Sequence, residues 1–130
     1  MNETAAEPTR VLVVDDNIDA ADSLATLLTV TGYEVRTAYD GPEAIEAADD
    51  FLPRVALLDI GLPKLSGYDI ARHMRSRCGN SVLLVAITGW GQEADRIRAR
   101  EAGFDHHFTK PADFHKLLQL IDQELRSAAA

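Results

Sequence analysis

The chain has 130 residues, of which 46% are hydrophobic and 26% charged, which is typical of a single globular domain. Its formal net charge of −8, from 21 acidic and 13 basic side chains, argues against direct binding to nucleic acid or to anionic membranes. No apolar stretch reaches the ~20 residues of a membrane span, and the single cysteine, Cys78, fits a reducing compartment, so we expect a cytoplasmic protein.

Strand-like and helix-like segments alternate five times between two short tails. Residues 1–9 and 127–130 are expected to be flexible tails, and residues 10–126 to form one domain. Strands are predicted at residues 11–14, 34–38, 55–58, 82–87 and 106–109. This alternation is typical of an α/β fold built on a parallel sheet.

Each predicted strand is followed by a predicted helix whose ends carry sequence signals. Asn17 suits the N-cap of the first helix and Gly32 its end, while Ser66 opens a capping-box pattern at the third. Ile18 and Leu27 belong to the apolar stripe of the first helix and are expected to face the core. The helices are predicted at about residues 17–32, 40–52, 66–79, 92–102 and 113–126.

The composition of the strands predicts their order in the sheet. Residues 11–14, 55–58 and 82–87 are apolar on both faces, as strands covered by helices on both sides must be. Residues 34–38 alternate and residues 106–109 are short and polar, so both are expected at the edges. The prediction is a flavodoxin-like, doubly wound (βα)5 fold with a five-stranded parallel sheet in the order 2-1-3-4-5.

Polar residues stand at the carboxyl ends of four predicted strands: Asp15 and Asp16, then Asp59, Thr88 and Lys110. Carboxylates that are brought together repel unless a cation compensates them, and Mg²⁺ prefers oxygen ligands. A carboxylate can also attack phosphorus to form an aspartyl phosphate, which needs positioning and charge stabilisation from the protein. A lysine, a threonine hydroxyl and Mg²⁺ could each meet one phosphoryl oxygen.

Each of these residues also has a simpler interpretation. Asp15 and Asp16 could merely cap the following helix, Lys110 could be a surface lysine, and Thr88 could be an ordinary β-branched strand residue. The peptide bond before Pro111 can be cis, which would aim Lys110 at the strand end. The joint occurrence of these residues at successive strand ends favours a common site.

Four stretches together resemble the receiver domain of two-component response regulators, over roughly residues 10–126. The stretches are Val13–Asn17, Leu57–Pro63, Ala86–Gly89 and Phe108–Pro111. The resemblance implies that Asp59 accepts a phosphoryl group from a phosphohistidine on a sensor histidine kinase. Thr88 would then move toward the phosphoryl group, and Lys110 would pair with it.

The same resemblance implies a metal site. Mg²⁺ would be bound by Asp16, by Asp59 and by the backbone carbonyl of Gly61, while Asp15 would act through water.

His107 is one of several positions that depart from the commonest receiver pattern. His107 stands where receivers usually carry a Tyr or Phe that swings inward when the threonine moves; an imidazole is smaller and can change charge near neutral pH. His107 could also be just an exposed edge-strand residue. Trp90 follows the fourth strand and could cover the site, contact a partner or pack on its own domain.

A basic cluster, Arg96, Arg98 and Arg100, lies on the predicted fourth helix. It could be a solvated helix face paired with nearby carboxylates, or a docking surface. We expect a downstream protein target on the face formed by the fourth helix, the fifth strand and the fifth helix.

We therefore expect a single-domain receiver, not an enzyme, that signals through phosphorylation-dependent protein contacts. Its donor would be a sensor histidine kinase or a histidine phosphotransfer protein. No nucleic-acid or membrane partner is expected, and the state would be a monomer or a weak homodimer. Three alternatives are a relay carrier or phosphate sink, a small Mg²⁺-dependent phosphohydrolase, and a flavodoxin-like electron carrier. The last lacks a Ser/Thr/Gly-rich phosphate loop after the first strand.

Overall fold

The computed structural model describes residues 8–62, 64–89 and 96–129, without the side chains of residues 96, 128 and 129. Within these ranges five strands alternate with five helices, and one 3₁₀ turn, Gly79–Ser81, precedes the fourth strand. The elements are β1 (Arg10–Val14), α1 (Ile18–Thr31), β2 (Glu34–Ala38), α2 (Gly41–Phe51), β3 (Val55–Asp59), α3 (Gly67–Cys78), β4 (Leu83–Thr88), α4 (Arg96–Ala102), β5 (His106–Thr109) and α5 (Phe114–Ala129).

All four strand pairings are parallel, in the predicted order β2-β1-β3-β4-β5. The predicted flavodoxin-like α/β fold is confirmed. The register aligns Val14 with Leu58, and Leu58 with Ala86, so the carboxyl ends of the three central strands lie side by side. This alignment brings the residues that follow the apolar runs to one edge of the sheet.

The core has two layers, one on each face of the sheet. Alternate strand residues enter different layers: Leu12 and Leu58 pack toward α2, α3 and α4, whereas Val11 and Leu57 pack toward α1 and α5. All five residues of β3 are buried, which agrees with its central position. The sheet is therefore covered by helices on both faces.

The helix ends predicted from the sequence are present in the structure. The Asn17 side chain accepts a hydrogen bond from the Ala20 N–H at 3.0 Å, and Gly32 ends α1 with a φ of 117°. Ser66 and Asp69 form both hydrogen bonds of a capping box at α3. These local signals fix where each helix begins beside the sheet edge.

Some predictions about the helices differ from the structure. Ile18 and Leu27 are 54% and 47% exposed, because α1 packs on the sheet along the narrower line of Ala21 and Leu28. The last helix continues beyond Arg126 to Ala129, which agrees with the strong helix propensity of alanine. The predicted segment 92–95 of the fourth helix lies outside the described residues.

Among the described residues, no helix has the length and apolar character needed to cross a bilayer.

Candidate functional site

Three carboxylates meet at the carboxyl ends of β1 and β3. Asp15, Asp16 and Asp59 each offer an oxygen, and these oxygens lie within 4.8 Å of one another. Asp15 and Asp59 are buried, at 8% and 6% exposure, whereas Asp16 is exposed. Such a group of oxygen ligands fits a hard divalent cation such as Mg²⁺, which commonly retains water on its open side.

Backbone hydrogen bonds hold the two buried carboxylates in place. The Asn17 N–H donates to Asp15 Oδ1 at 2.9 Å, and the Gly61 N–H donates to Asp59 Oδ1 at 3.0 Å. The side chain that caps α1 is that of Asn17, so the interpretation of Asp15 as a helix cap is wrong. Each buried carboxylate keeps its Oδ2 for other contacts.

Lys110 bridges the two Oδ2 atoms. Its ammonium nitrogen lies 3.0 Å from Asp15 Oδ2 and 3.1 Å from Asp59 Oδ2. The backbone N–H of Lys110 donates to the Thr88 carbonyl at 2.7 Å, and the Lys110–Pro111 peptide bond is cis. Lys110 is therefore part of the carboxylate site and not an independent surface lysine.

Burial and ion pairing pull the pKa values of this pair in different directions. Burial raises the pKa of Asp59, and the Gly61 N–H and the Lys110 ammonium oppose it only in part. For Lys110, burial acts to lower the pKa, but its bonds to Asp15 and Asp59 outweigh burial and the pKa is raised. The carboxylate loses more hydration than the ammonium, since the side chains are 8% and 35% exposed. The single ammonium of Lys110 thus leaves part of the negative charge of the carboxylate cluster uncompensated, which favours the binding of an added cation.

In metal-free buffer we expect Asp59→Asn to be more stable than the wild type, by a margin that grows with pH. In the unfolded chain the pKa of an aspartate carboxyl is about 4. When folding raises this pKa, the carboxyl stabilises the folded state at pH values below the unfolded pKa, and this stabilisation is lost as the pH rises through the folded pKa. The asparagine variant avoids this loss. Chemical denaturation in EDTA from about pH 4 to about pH 8 measures the margin.

Magnesium is expected to reverse this order. At ten times its Kd a bound cation adds about 1.4 kcal/mol to the stability of the wild type, and the variant has lost one carboxylate ligand. The exposed Asp19→Asn is the control and should follow the wild type in both buffers. A wild type that is already the more stable protein in EDTA at neutral pH would contradict the argument.

Thr88 and His107 form a direct pair beside the carboxylates. Thr88 is fully buried, and its Oγ1 lies 3.0 Å from His107 Nε2. His107 is half-buried, so its interpretation as an exposed edge residue is wrong. This pairing was not predicted from the sequence, although a signal was present: β4 and β5 are neighbours, and Ala86, which shares a face with Thr88, pairs with His107.

Arg98 and Arg100 of α4 do not form one surface. The Arg98 guanidinium lies 4.5 Å from the centre of the Tyr68 ring, whereas Arg100 lines a cavity with His107. The side chain of Arg96 is outside the described residues, as is the whole of Trp90. Residues two apart on a helix point in nearly opposite directions, so Arg98 faces α3 while Arg100 faces β5.

A glycine and a tyrosine at the start of α3 pack against the segment that carries Asp59. The Gly67 N–H donates to the Ile60 carbonyl at 3.1 Å, and Tyr68 is only 3% exposed. Added to Gly67, a Cβ atom would lie 2.7 Å from both the Asp59 carbonyl oxygen and Ile60 Cα. Nothing in the sequence indicated the close approach at Gly67.

The acidic cluster, the buried threonine and the lysine lie at the carboxyl edge of the sheet, where doubly wound α/β domains bind their ligands. The chain matches the family model of the response regulator receiver domain over residues 11–122. It therefore belongs to the receiver domains of two-component response regulators. This membership does not favour the phosphohydrolase or electron-carrier alternatives.

The curated relatives are longer proteins. The sensory transduction protein RegX3 of Mycobacterium tuberculosis is 36% identical over 118 residues, which are 91% of this chain and 51% of that protein. A probable transcriptional regulator, ycf27 of Guillardia theta, is 39% identical over 117 residues, or 90% of this chain and 45% of the relative. The chain thus spans about half the length of the curated relatives it matches.

Solved receiver domains have the same fold. A CheY-like response regulator receiver domain from Methanospirillum hungatei superposes with a TM-score of 0.86 at 26% identity, covering 93% of this chain and 96% of that one. The receiver domain of NtrX from Brucella abortus superposes with a TM-score of 0.81 at 30% identity, covering 89% and 98%.

Proposed function

We propose that Asp59 accepts a phosphoryl group from the phosphohistidine of a sensor histidine kinase or a histidine phosphotransfer protein. The observation that carries this proposal is the placement of a buried Asp59 carboxylate 3.1 Å from the Lys110 ammonium, inside a cluster of three carboxylates. In the transfer, an Asp59 oxygen attacks phosphorus as the phosphorus–nitrogen bond to the histidine breaks. The transferred group then becomes an acyl phosphate on Asp59.

The surrounding side chains provide the charge compensation that this step requires. The Lys110 ammonium, which now bridges Asp15 and Asp59, pairs with one phosphoryl oxygen. The Thr88 hydroxyl, whose oxygen lies 3.0 Å from His107 Nε2, donates to another phosphoryl oxygen. Because these groups are held by the ends of neighbouring strands, little reorganisation is needed during the transfer.

Asp16, Asp59 and the Gly61 carbonyl hold Mg²⁺ in this proposal, with Asp15 contributing through water. Three clustered carboxylates with an exposed member fit such a cation. When bound, Mg²⁺ neutralises carboxylate charge and coordinates a phosphoryl oxygen.

The output in this proposal is a protein target that binds the face of α4, β5 and α5 differently in the two phosphorylation states. Support comes from the Thr88–His107 pair, which joins the site to β5. Arg100 of α4 lines the cavity beside that strand. A coupling of about 1–3 kcal/mol between phosphorylation and partner binding is the usual range for such switches.

Asp59→Asn is expected to abolish phosphorylation completely, because an amide cannot form the acyl phosphate. Intact-mass analysis after acetyl phosphate and Mg²⁺ should show one added phosphoryl group on the wild type and none on the variant. Asp19→Asn, exposed on α1, serves as the control and should be labelled like the wild type. Labelling that persists in Asp59→Asn would assign the acceptor elsewhere. A wild type that is labelled neither by acetyl phosphate nor by a phosphorylated histidine phosphotransfer domain would overturn the proposal.

A further inference from the structure

One hydrogen bond joins Thr88 and His107, and its direction depends on where the imidazole carries its proton. Thr88 Oγ1 lies 3.0 Å from His107 Nε2, a normal hydrogen-bond distance. Its other described neighbour, the Phe108 carbonyl, is 3.5 Å away, too far for a strong bond. The direction of the bond to His107 therefore decides where the hydroxyl proton points.

Two arrangements satisfy this geometry. If Nε2 carries no proton, the Thr88 hydroxyl donates to it, and the hydroxyl proton is committed to the imidazole. If Nε2 carries a proton, it donates to Oγ1, and the hydroxyl proton is free for another acceptor. A phosphoryl oxygen on Asp59 is such an acceptor. Only the second arrangement allows Thr88 to bind His107 and the phosphoryl group together.

The charged groups around His107 make its protonation depend on the phosphorylation state of Asp59. On its side of the sheet α4 presents Arg100, and the loop before β5 presents Asp105; both line the cavity that His107 lines. Asp105 is already engaged by the Arg75 guanidinium at 2.9 Å and by the Leu84 N–H at 2.9 Å. Among the described charged groups on this side, the Arg100 cation disfavours a second positive charge, and a phosphoryl group on Asp59 would favour it.

The neighbouring histidine lies on the other face of the strand. His106 also lines the cavity shared by Arg100 and His107, but its Nε2 is 3.7 Å from Glu124 Oε2 on α5, so its ion-pair partner lies on the other side of the sheet. His106 is therefore a matched control, a histidine on the same strand whose side chain belongs to the face opposite to Thr88.

We propose that neutral His107 carries its proton on Nδ1, so that gain of a second proton at Nε2 and phosphorylation of Asp59 favour each other, with the Thr88 hydroxyl as the link. The proposal rests on the function proposed above for Asp59. His107 acts here as a positioning residue, because it sets which way the Thr88 hydroxyl donates. The receiver then retains its phosphoryl group better at lower pH, and the phosphorylated form holds the His107 proton to higher pH.

The test measures the affinity of the full chain for beryllium fluoride with Mg²⁺, a phosphoryl mimic, between about pH 5.5 and about pH 8.5, either side of the ordinary histidine value. His107→Phe lacks the titrating imidazole. All other pH-dependent steps of binding, including the chemistry of the metal and of fluoride, are the same as in the wild type. We expect the affinity of the wild type to fall about tenfold more than that of His107→Phe across this range. His106→Gln should follow the wild type. His107→Gln, whose amide offers an N–H at every pH, should bind well throughout and show no excess pH dependence.

An NMR titration gives the reciprocal result, with the pH response measured on the wild type itself. The His107 ring signals, assigned by their absence in His107→Gln, should titrate at higher pH when beryllium fluoride is bound. Equal pH dependence in the wild type and His107→Phe, or an unmoved His107 titration, would overturn the inference while leaving Asp59 as the acceptor. Failure of beryllium fluoride to bind, or binding that survives Asp59→Asn, would instead overturn the proposed function.

Discussion

Lys110→Met is expected to slow phosphorylation of Asp59 about a hundredfold, the usual loss when one stabilising donor is removed from a developing negative charge. The lysine contacts both buried carboxylates, at 3.0 Å and 3.1 Å, and methionine preserves its length without its charge. The variant should also lose about 1–2 kcal/mol of stability in metal-free buffer. This estimate is below the usual penalty for breaking a buried pair, because the Lys110 side chain is 35% exposed.

Two measurements separate these effects. Intact-mass time courses with acetyl phosphate give the rate of phosphoryl uptake, and denaturation with EDTA or with Mg²⁺ gives stability. Mg²⁺ should restore most of the stability, since a cation again compensates Asp15 and Asp59, but it should not restore the rate. Lys116→Met, an exposed lysine on α5, should change neither quantity. A Lys110 variant with the wild-type rate would show that the ammonium does not take part in phosphoryl transfer.

Gly67→Ala is expected to destabilise the domain by about 1–3 kcal/mol, the usual range for overpacking. The new Cβ would lie 2.7 Å from backbone atoms of Asp59 and Ile60, so the segment that follows the phosphoryl acceptor has to shift. Because the contact is with backbone, no side-chain rotation relieves it. The displaced Asp59 carboxylate should lose its alignment with Lys110, and phosphorylation should slow at least tenfold.

Gly61→Ala is the matched control in the same loop. Its Cβ would meet only Asp59 Oδ1, at 3.8 Å, which is ordinary van der Waals contact. The effect on stability should stay within about 0.5 kcal/mol, as for substitutions without a clash. Urea denaturation and acetyl phosphate labelling of both variants test the comparison. If Gly67→Ala behaves like Gly61→Ala, the backbone around Asp59 is not as tightly packed against α3 as the structure shows.

The burial of Asp59 both destabilises the carboxylate cluster and supports its proposed function. The burial that raises the pKa of Asp59 also excludes water from the carboxylate that would carry the phosphoryl group. A receiver with a neutral side chain at this position would be more stable without metal but could not be phosphorylated. Stability is thus expected to depend on the metal and on phosphorylation, which links the fold to the signalling state.

Much of the fold was predictable from local features of the sequence. The strand order follows from which apolar runs are buried on both faces, and the ends of α1 and α3 follow from Asn17, Gly32 and Ser66. The exposure of Ile18 was not predictable from the apolar stripe of α1. A periodic pattern identifies the apolar face of a helix, but it does not show how much of that face contacts the sheet.

The sequence by itself determined that carboxylates, a threonine and a lysine stand at neighbouring strand ends, because strand length and side-chain alternation are local properties. Only the tertiary structure decided how these groups pair. Lys110 meets Asp59 across 51 residues and Thr88 meets His107 across 19. Such contacts depend on strand register, on helix placement and on the rotamers that packing allows. These quantities arise only when distant segments come together, and no periodic pattern in the chain encodes them.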